Sequence, residues 1–227
     1  MWLNKKLIFI LIISLTSLLS ALSINIGMPY GKHNIGHTTI TVNTQDQHKK
    51  VIYDFGRYGR TWGYLNFSGE GIMRVWRGEK SVDYFKAKQK RFRTTIAFKI
   101  KTTPEQERKA YEYFESLIKE GKLISTHKHY KKYRLKMNFD GVTIQCTSMS
   151  LNGLRKAFSE KDYKSLLPEK FNKGKGFTKK QRNYFFKVQK KHKVNDVVVP
   201  KDVLAALNNA LKEEHPLVLK KEIWKRR

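Results

Sequence analysis

The segment TSMSLNGLRKAF, residues 147–158, predicts a helix that begins directly after Cys146, the one cysteine of the chain. The expected fold is built around this helix. One side of this helix can be buried by four apolar side chains, Met149, Leu151, Leu154 and Phe158. Gly153 lowers its propensity by about 1 kcal/mol. A thiol at a helix N-terminus lies near the positive end of the helix dipole and near free backbone N–H groups, which favour thiolate. Cys146 is therefore a candidate nucleophile, with a buried inert thiol or an intermolecular bridge as the alternatives.

A nucleophilic cysteine needs a neighbouring imidazole, and His37 is the strongest candidate among the seven histidines. It follows Gly36 and opens the β-branched run HTTITVN, residues 37–43, which predicts a strand. Residues 51–55 predict a second strand after a polar loop. The two segments together predict a hairpin that holds His37 on a rigid element.

The same hairpin makes Asp54 the candidate third catalytic residue. It would return Asp54 alongside His37, where a carboxylate stabilises imidazolium, and Tyr53 would point to the opposite face. Arg57 and Arg60 lie close in sequence, so a turn or salt-bridge role for Asp54 stays open.

Several short motifs resemble the circularly permuted NlpC/P60-like cysteine hydrolases, a papain-like group that includes lecithin:retinol acyltransferase-like enzymes and bacterial cell-wall amidases. They cover residues 30–160 and are Gly36-His37 at a strand start, Tyr53-Asp54-Phe55-Gly56 at a strand end, a helix at Pro104-Glu105-Gln106, and Tyr133 upstream of Gln145-Cys146-Thr147. As in the permuted group, the histidine precedes the cysteine. The resemblance implies that Cys146 is the nucleophile, that His37 is general base and acid, and that a polar residue of the next strand orients the imidazole. The family often has asparagine where this chain has Gln145.

No metal or cofactor is expected. His33 and His37 are spaced like a helical metal pair, but Gly36 and the β-branched run oppose a helix. His127 and His129 could share a strand face, yet there is no second cysteine and no acidic partner at ligand spacing.

Composition predicts a folded and strongly basic protein. The chain has 227 residues, with 47 Lys and Arg against 19 Asp and Glu, a net charge of +28. Its 13 Phe, 11 Tyr and 4 Trp suffice for a core. Such a charge predicts an anionic partner, here a cell-wall polymer or envelope surface. Interleaved aromatic residues would also suit nucleic acid, which an exported chain is not expected to meet.

Residues 1–23, MWLNKKLIFILIISLTSLLSALS, resemble a secretory signal peptide with Lys5 and Lys6 before an apolar run. Ala21 and Ser23 are small residues at the minus-three and minus-one positions of a cleavage after Ser23. The expected location is therefore periplasmic or secreted. An uncleaved membrane anchor is the alternative, although the apolar run is shorter than the ~20 residues of a span. No later segment is apolar enough to cross a membrane.

The expected architecture is α+β, a permuted papain-like fold in which an antiparallel sheet packs against the cysteine helix. Residues 24–165 would form the catalytic domain. Residues 166–227 would form a basic helical extension, with helices near 179–191 and after Pro200, joined through the Lys/Gly-rich residues 170–180.

The expected function is an exported cysteine hydrolase that cleaves amide bonds in peptidoglycan stem peptides, held to its polymer by residues 161–227. Two alternatives stay open. One is a lipid or acyl-ester hydrolase or acyltransferase with the same dyad, and the other is a non-enzymatic cationic envelope-binding or toxin protein. An inhibitor or immunity protein is a further open partner.

Overall fold

The computed structural model describes residues 20–31, 35–44, 49–63, 66–167, 178–193 and 197–227. Over these residues the protein is an α+β fold with a nine-stranded antiparallel sheet and six helices. The strands are β1 Ser20–Gly27, β2 His37–Thr44, β3 Lys49–Gly56, β4 Thr61–Trp62, β5 Ser68–Arg77, β6 Thr95–Thr102, β7 Lys122–Thr126, β8 Lys131–Asp140 and β9 Val218–Trp224. The helices are α1 Glu79–Phe92, α2 Pro104–Glu120, α3 Cys146–Ala157, α4 Glu160–Leu166, α5 Lys179–His192 and α6 Pro200–Lys212. The sheet order is β7-β8-β5-β3-β2-β1-β6-β9, with β4 paired to β5.

One face of the sheet carries the main hydrophobic core beneath α2 and α3. Alternate residues of the central strands point to it, among them Leu22, Ile40 and Tyr53. The Tyr53 ring stacks on Phe114 of α2 with 4.4 Å between centroids. Helix α3 packs so closely that a Cβ on Gly153 would lie 2.5 Å from the Phe114 ring. Packing therefore explains a glycine that propensity alone disfavours.

Helix α1 covers the opposite face, where Ile52, Trp76 and Ala97 pack against Val82 and Phe85. Asp54 belongs to this face because it lies two residues after Ile52 in β3. His37 also belongs to it, since it lies three positions before the core-facing Ile40 of β2 and residues three apart in a strand point to opposite faces. The catalytic candidates His37 and Asp54 thus share one face of the sheet.

The predicted hairpin, the helix after Thr103 and the cysteine helix are present as β2–β3, α2 and α3. The alternation in RFRTTIAFKIK, residues 91–101, predicts a strand, but α1 continues through Phe92 and β6 starts at Thr95. The sequence predicts a turn at residues 139–141 and an extended segment at residues 142–144. Val142 and Thr143 lie in a turn instead, because the Asp140 carboxylate accepts hydrogen bonds from their backbone N–H groups, and Ile144 forms an isolated antiparallel bridge with Asp140.

The predicted leader overlaps the sheet at residues 20–23, which form the first half of β1. Leu22 is fully buried there, and residues 20–23 pair with Lys99 to Thr102 of β6. Residues 1–19 of the predicted leader lie outside the described residues. None of the helices in the described ranges is long and apolar enough to cross a membrane.

Helices α5 and α6 lie where the sequence predicts helices, and residues 170–177 of the predicted connection lie outside the described residues. Strand β9 was not predicted. It pairs with β6 at the sheet edge, and Val203, Leu207 and Val218 join the main core. The C-terminal residues therefore belong to the same sheet and core as the strands that carry His37 and Asp54.

Candidate active site

Cys146 is the first residue of α3, and the sequence around it builds a tight helix start. The side chain of the N-cap residue, Gln145, accepts a hydrogen bond from the Thr147 backbone N–H at 2.9 Å, and Ser148 Oγ accepts one from the Gln145 backbone N–H at 2.9 Å. The Cys146 backbone N–H has no intrahelical acceptor at this position. Cys146 is only 7% exposed, and it lines the wall of a cavity.

The fold brings together all three residues that the sequence singled out. The thiol of Cys146 and the imidazole of His37 line the same cavity and each shifts the pKa of the other, although 109 positions separate them in the chain (146 − 37). His37 Nε2 lies 2.7 Å from Asp54 Oδ1. Asp54 and the Tyr58 hydroxyl both contact Nε2, so Nδ1 is the ring nitrogen that they leave for proton transfer.

The helix start is fixed to strand β2 by two contacts around the sulfur. Thr38 Oγ1 lies 3.1 Å from Thr147 Oγ1, and both side chains are fully buried. The Thr38 backbone also lies close enough to the Cys146 sulfur to lower the pKa of the thiol. These contacts hold the thiol beside the strand that carries His37.

Two further residues, which sequence reasoning missed, complete the polar network. Arg74 of β5 lies directly opposite Asp54 in the β3–β5 ladder, and its Nε donates to Asp54 Oδ2 at 3.0 Å. Tyr58 donates its hydroxyl to Asp54 Oδ1 at 2.7 Å, and the Arg74 guanidinium lies 3.6 Å from the centre of the Tyr58 ring. Asp54 therefore forms a salt bridge as well as contacting His37. Its cationic partner is Arg74, and Arg60 pairs with Glu70.

The electrostatics of the pair favour a thiolate beside an imidazolium. Burial alone would raise the pKa of Cys146 and lower that of His37, because it disfavours both charges. Their opposite charges outweigh burial, so the pKa of Cys146 falls below its usual value and that of His37 rises to about 9. Burial also opposes ionisation of Asp54, yet Arg74 and His37 hold the pKa of Asp54 well below its usual range. The carboxylate thus stays ionised and supports the imidazolium.

A cavity of about 410 Å³ opens on Cys146 and His37. Aromatic rings line much of its wall: Tyr30, Tyr58, Phe67, Trp76, Phe92, Phe139 and Tyr184. Tyr184 comes from α5, and the carbonyl of Val198 accepts a hydrogen bond from the Gln145 side chain at 2.5 Å. The C-terminal region therefore contributes to the cavity and to the support of the helix start.

The other histidines considered as metal ligands make aromatic contacts. His127 stacks on Tyr130 and His129 stacks on Tyr84, with centroids 4.4 Å and 4.0 Å apart. His33 lies outside the described residues. Within the described parts of the chain, no group of three or more potential ligands could hold a metal ion.

No protein-family model, curated protein or solved structure matches the chain. A thiol, an imidazole, a carboxylate and an orphan backbone N–H at a helix start are the parts that nucleophilic attack on a carbonyl requires.

Proposed function

We propose that the protein is a cysteine hydrolase that cleaves amide bonds. The observation that carries the proposal is that Cys146 and His37 line one cavity and shift each other's pKa, while Asp54 contacts His37 and is anchored by Arg74. A structural cysteine needs no imidazole partner. An imidazole with a raised pKa paired with a thiol of lowered pKa is the arrangement that activates a sulfur nucleophile.

In the proposed reaction the Cys146 thiolate attacks the carbonyl carbon, and the backbone N–H of Cys146 donates to the oxyanion that forms. Imidazolium His37 gives its proton to the departing amine as the C–N bond breaks, which leaves a thioester. Neutral His37 then takes a proton from water. The resulting hydroxide attacks the thioester and releases the acid, and thiolate and imidazolium are restored. Asp54 keeps the ring in the orientation that serves both transfers.

The arrangement supports a permuted papain-like architecture as the finer description of the fold. The histidine strand precedes the cysteine helix along the chain, and the two meet at one end of an antiparallel sheet. Peptide stems of peptidoglycan are the proposed substrate, and an anionic wall or envelope polymer is the proposed partner of the basic surface. A periplasmic or secreted location is part of this proposal. The proposal also includes a basic extension, in which residues 161–227 bind the anionic polymer and hold the enzyme to it.

A lipid or acyl-ester substrate is the second candidate, and the aromatic wall of the cavity favours it. Tyr30, Phe67 and Phe92 could cover an acyl chain as readily as they cover a peptide. The same dyad would then form an acyl-enzyme from an ester.

Purified sacculi and phospholipid vesicles, incubated separately with wild type and Cys146→Ala, test the two candidates. We expect new amino groups or peptides from sacculi with wild type alone. Fatty acid release from vesicles would favour the lipid substrate instead. If Cys146→Ala matched wild type in either assay, the released material would not come from this site and the proposal would fail.

A further inference from the structure

The wall of the catalytic cavity is positively charged. Four cationic side chains line it, Arg57, Arg74, Lys88 and Arg93, and no aspartate or glutamate lies among the described residues of the lining. Arg74 is compensated by Asp54. The remaining cations therefore give the cavity a positive field beside the nucleophile.

Arg93 is a lining cation whose guanidinium has hydrogen-bond donors without acceptors among the described residues. Its Nε and Nη1 atoms are covered from solvent and have no hydrogen-bond partner among the described residues. The guanidinium lies 4.4 Å from the centre of the Tyr30 ring, which leaves its N–H edge without an acceptor. Nη2 is not among these covered atoms, so it is the nitrogen at which an oxyanion in the cavity would accept a charge-assisted hydrogen bond from Arg93.

The fold places Arg93 next to the catalytic strand. Gly27 lies directly opposite His37 in the β1–β2 ladder. A Cβ added to Gly27 would lie 2.6 Å from Arg93 Cδ and 3.3 Å from Arg93 Nη1. Because Gly27 has no side chain, the Arg93 side chain can lie over β1 at the residue that pairs with His37.

Lys88 is a second cation of the same wall. Its Nζ lies 5.7 Å from the centre of the Trp76 ring, and burial followed by the positive charge of Arg74 lowers its pKa. Lys88 lies near the end of α1, Arg93 is the C-cap residue of that helix, and both line the cavity. Two cations in a lining without a carboxylate favour an anionic ligand in the cavity.

We propose that Arg93 binds a free carboxylate of the substrate, so that the enzyme is selective for peptides with a carboxylate close to the scissile amide. This assignment names the substrate class of the amide hydrolysis proposed above and rests on it. The guanidinium suits a carboxylate oxygen as a charged partner, and Lys88 adds charge from the same wall. A neutral amide in place of that carboxylate would still offer an acceptor oxygen to Arg93 but would lose the charge pairing.

A binding test that needs no turnover uses Cys146 as the reporter. Iodoacetate and iodoacetamide are nearly the same size but differ in charge, and their alkylation rates can be compared by mass spectrometry. We expect the iodoacetate-to-iodoacetamide rate ratio to fall by about fivefold in Arg93→Gln, the effect of losing one nearby charge. Arg93→Lys should keep most of the ratio, and Arg91→Gln, an exposed control outside the cavity, should keep all of it. An unchanged ratio in Arg93→Gln would overturn the assignment.

Gly27→Ala provides a second variant that moves the Arg93 side chain without removing its charge. It should lower the same ratio, and thermal unfolding of each variant checks that the fold is intact. A folded Gly27→Ala protein with the wild-type ratio would count against the proposed position of Arg93.

The substrate test uses matched stem peptides in which one carboxylate at a time is amidated. Wild type should lose about ten- to a hundredfold in kcat/KM on one amidated peptide, and Arg93→Gln should cleave both members of that pair equally. Equal discrimination by wild type and Arg93→Gln would overturn the carboxylate assignment while leaving the hydrolase intact. Absence of cleavage in every peptide, with a rate ratio that still depends on Arg93, would instead defeat the proposed peptide hydrolysis.

Discussion

Two carboxylates are buried at opposite ends of β1 and β2, and their surroundings differ in charge. Asp54 lies at the end where His37 opens β2, between the cationic groups of Arg74 and His37. Glu107 of α2 lies at the other end, where it accepts hydrogen bonds from Ser20 Oγ and Asn43 Nδ2. Burial raises the pKa of Glu107, whereas the two cations hold that of Asp54 below its usual range. Both carboxylates are therefore buried, and pairing with cations is what distinguishes Asp54 from Glu107.

Asp54→Asn should have the largest effect, because it removes the charge that defines the reactive end. We expect kcat/KM to fall about 10²- to 10⁴-fold as the imidazolium loses its support. The free energy of unfolding at pH 7 should fall by about 3–5 kcal/mol, because Arg74 stays buried without its partner. The folded pKa of Asp54 is depressed, so this stabilisation is present above its ordinary value of 3.8 and is lost as the pH falls.

Steady-state kinetics and urea unfolding at pH 7 and pH 3 measure both effects. The stability difference between wild type and Asp54→Asn should narrow at pH 3. Activity within tenfold of wild type would show that the carboxylate is structural, like Glu107.

A truncation tests the Glu107 end of the comparison. A chain that starts at Ser20 keeps all of β1, whereas one that starts at Ile24 loses the fully buried Leu22 and the hydroxyl that Ser20 donates to Glu107. We expect the shorter chain to be less stable by about 2–5 kcal/mol, the range for loss of a buried leucine side chain. Urea unfolding of the two chains measures this difference, and equal midpoints would show that residues 20–23 add nothing to the sheet.

Glu107→Gln should have the smallest effect, with kcat/KM within about twofold of wild type. A neutral amide can still accept from Asn43 and can donate to Ser20 Oγ. Because the folded pKa of Glu107 is raised, protonation stabilises the wild type at acid pH and this contribution is lost as the pH rises. The variant should therefore match wild type near pH 4 and be at least as stable at pH 7, as urea unfolding at the two pH values would show. A large loss of activity in Glu107→Gln would contradict the account, because it would show that Glu107 is needed for activity as Asp54 is.

Local sequence signals were sufficient for the elements that carry the catalytic candidates. The β-branched run after Gly36 predicts β2, and the Thr103-Pro104 start predicts α2, whose N-cap hydrogen bonds are present. Cys146 and His37 could be singled out because each lies at the start of a clear element. Asp54 followed from the hairpin alone.

The elements and residues that were missed depend on long-range pairing. Arg74 faces Asp54 only through the β3–β5 register, and nothing local distinguishes it among 47 Lys and Arg residues. Strand β9 reads VLKKEIW, in which charged residues hide the alternation of an edge strand. The start of β1 continues a leucine-rich run, so apolar content alone could not separate strand from leader.

The most direct test of the central claim is the pH dependence of iodoacetamide alkylation of Cys146 in wild type and His37→Ala. The thiolate is the reacting species, so its population sets the rate. We predict rapid alkylation of wild type below pH 7, and a profile in His37→Ala that moves toward the ordinary thiol pKa of about 8.5, with a rate at pH 6 at least about tenfold lower. Slow alkylation of wild type with an ordinary profile, unchanged by His37→Ala, would contradict the claim that this cysteine and histidine form a reactive ion pair.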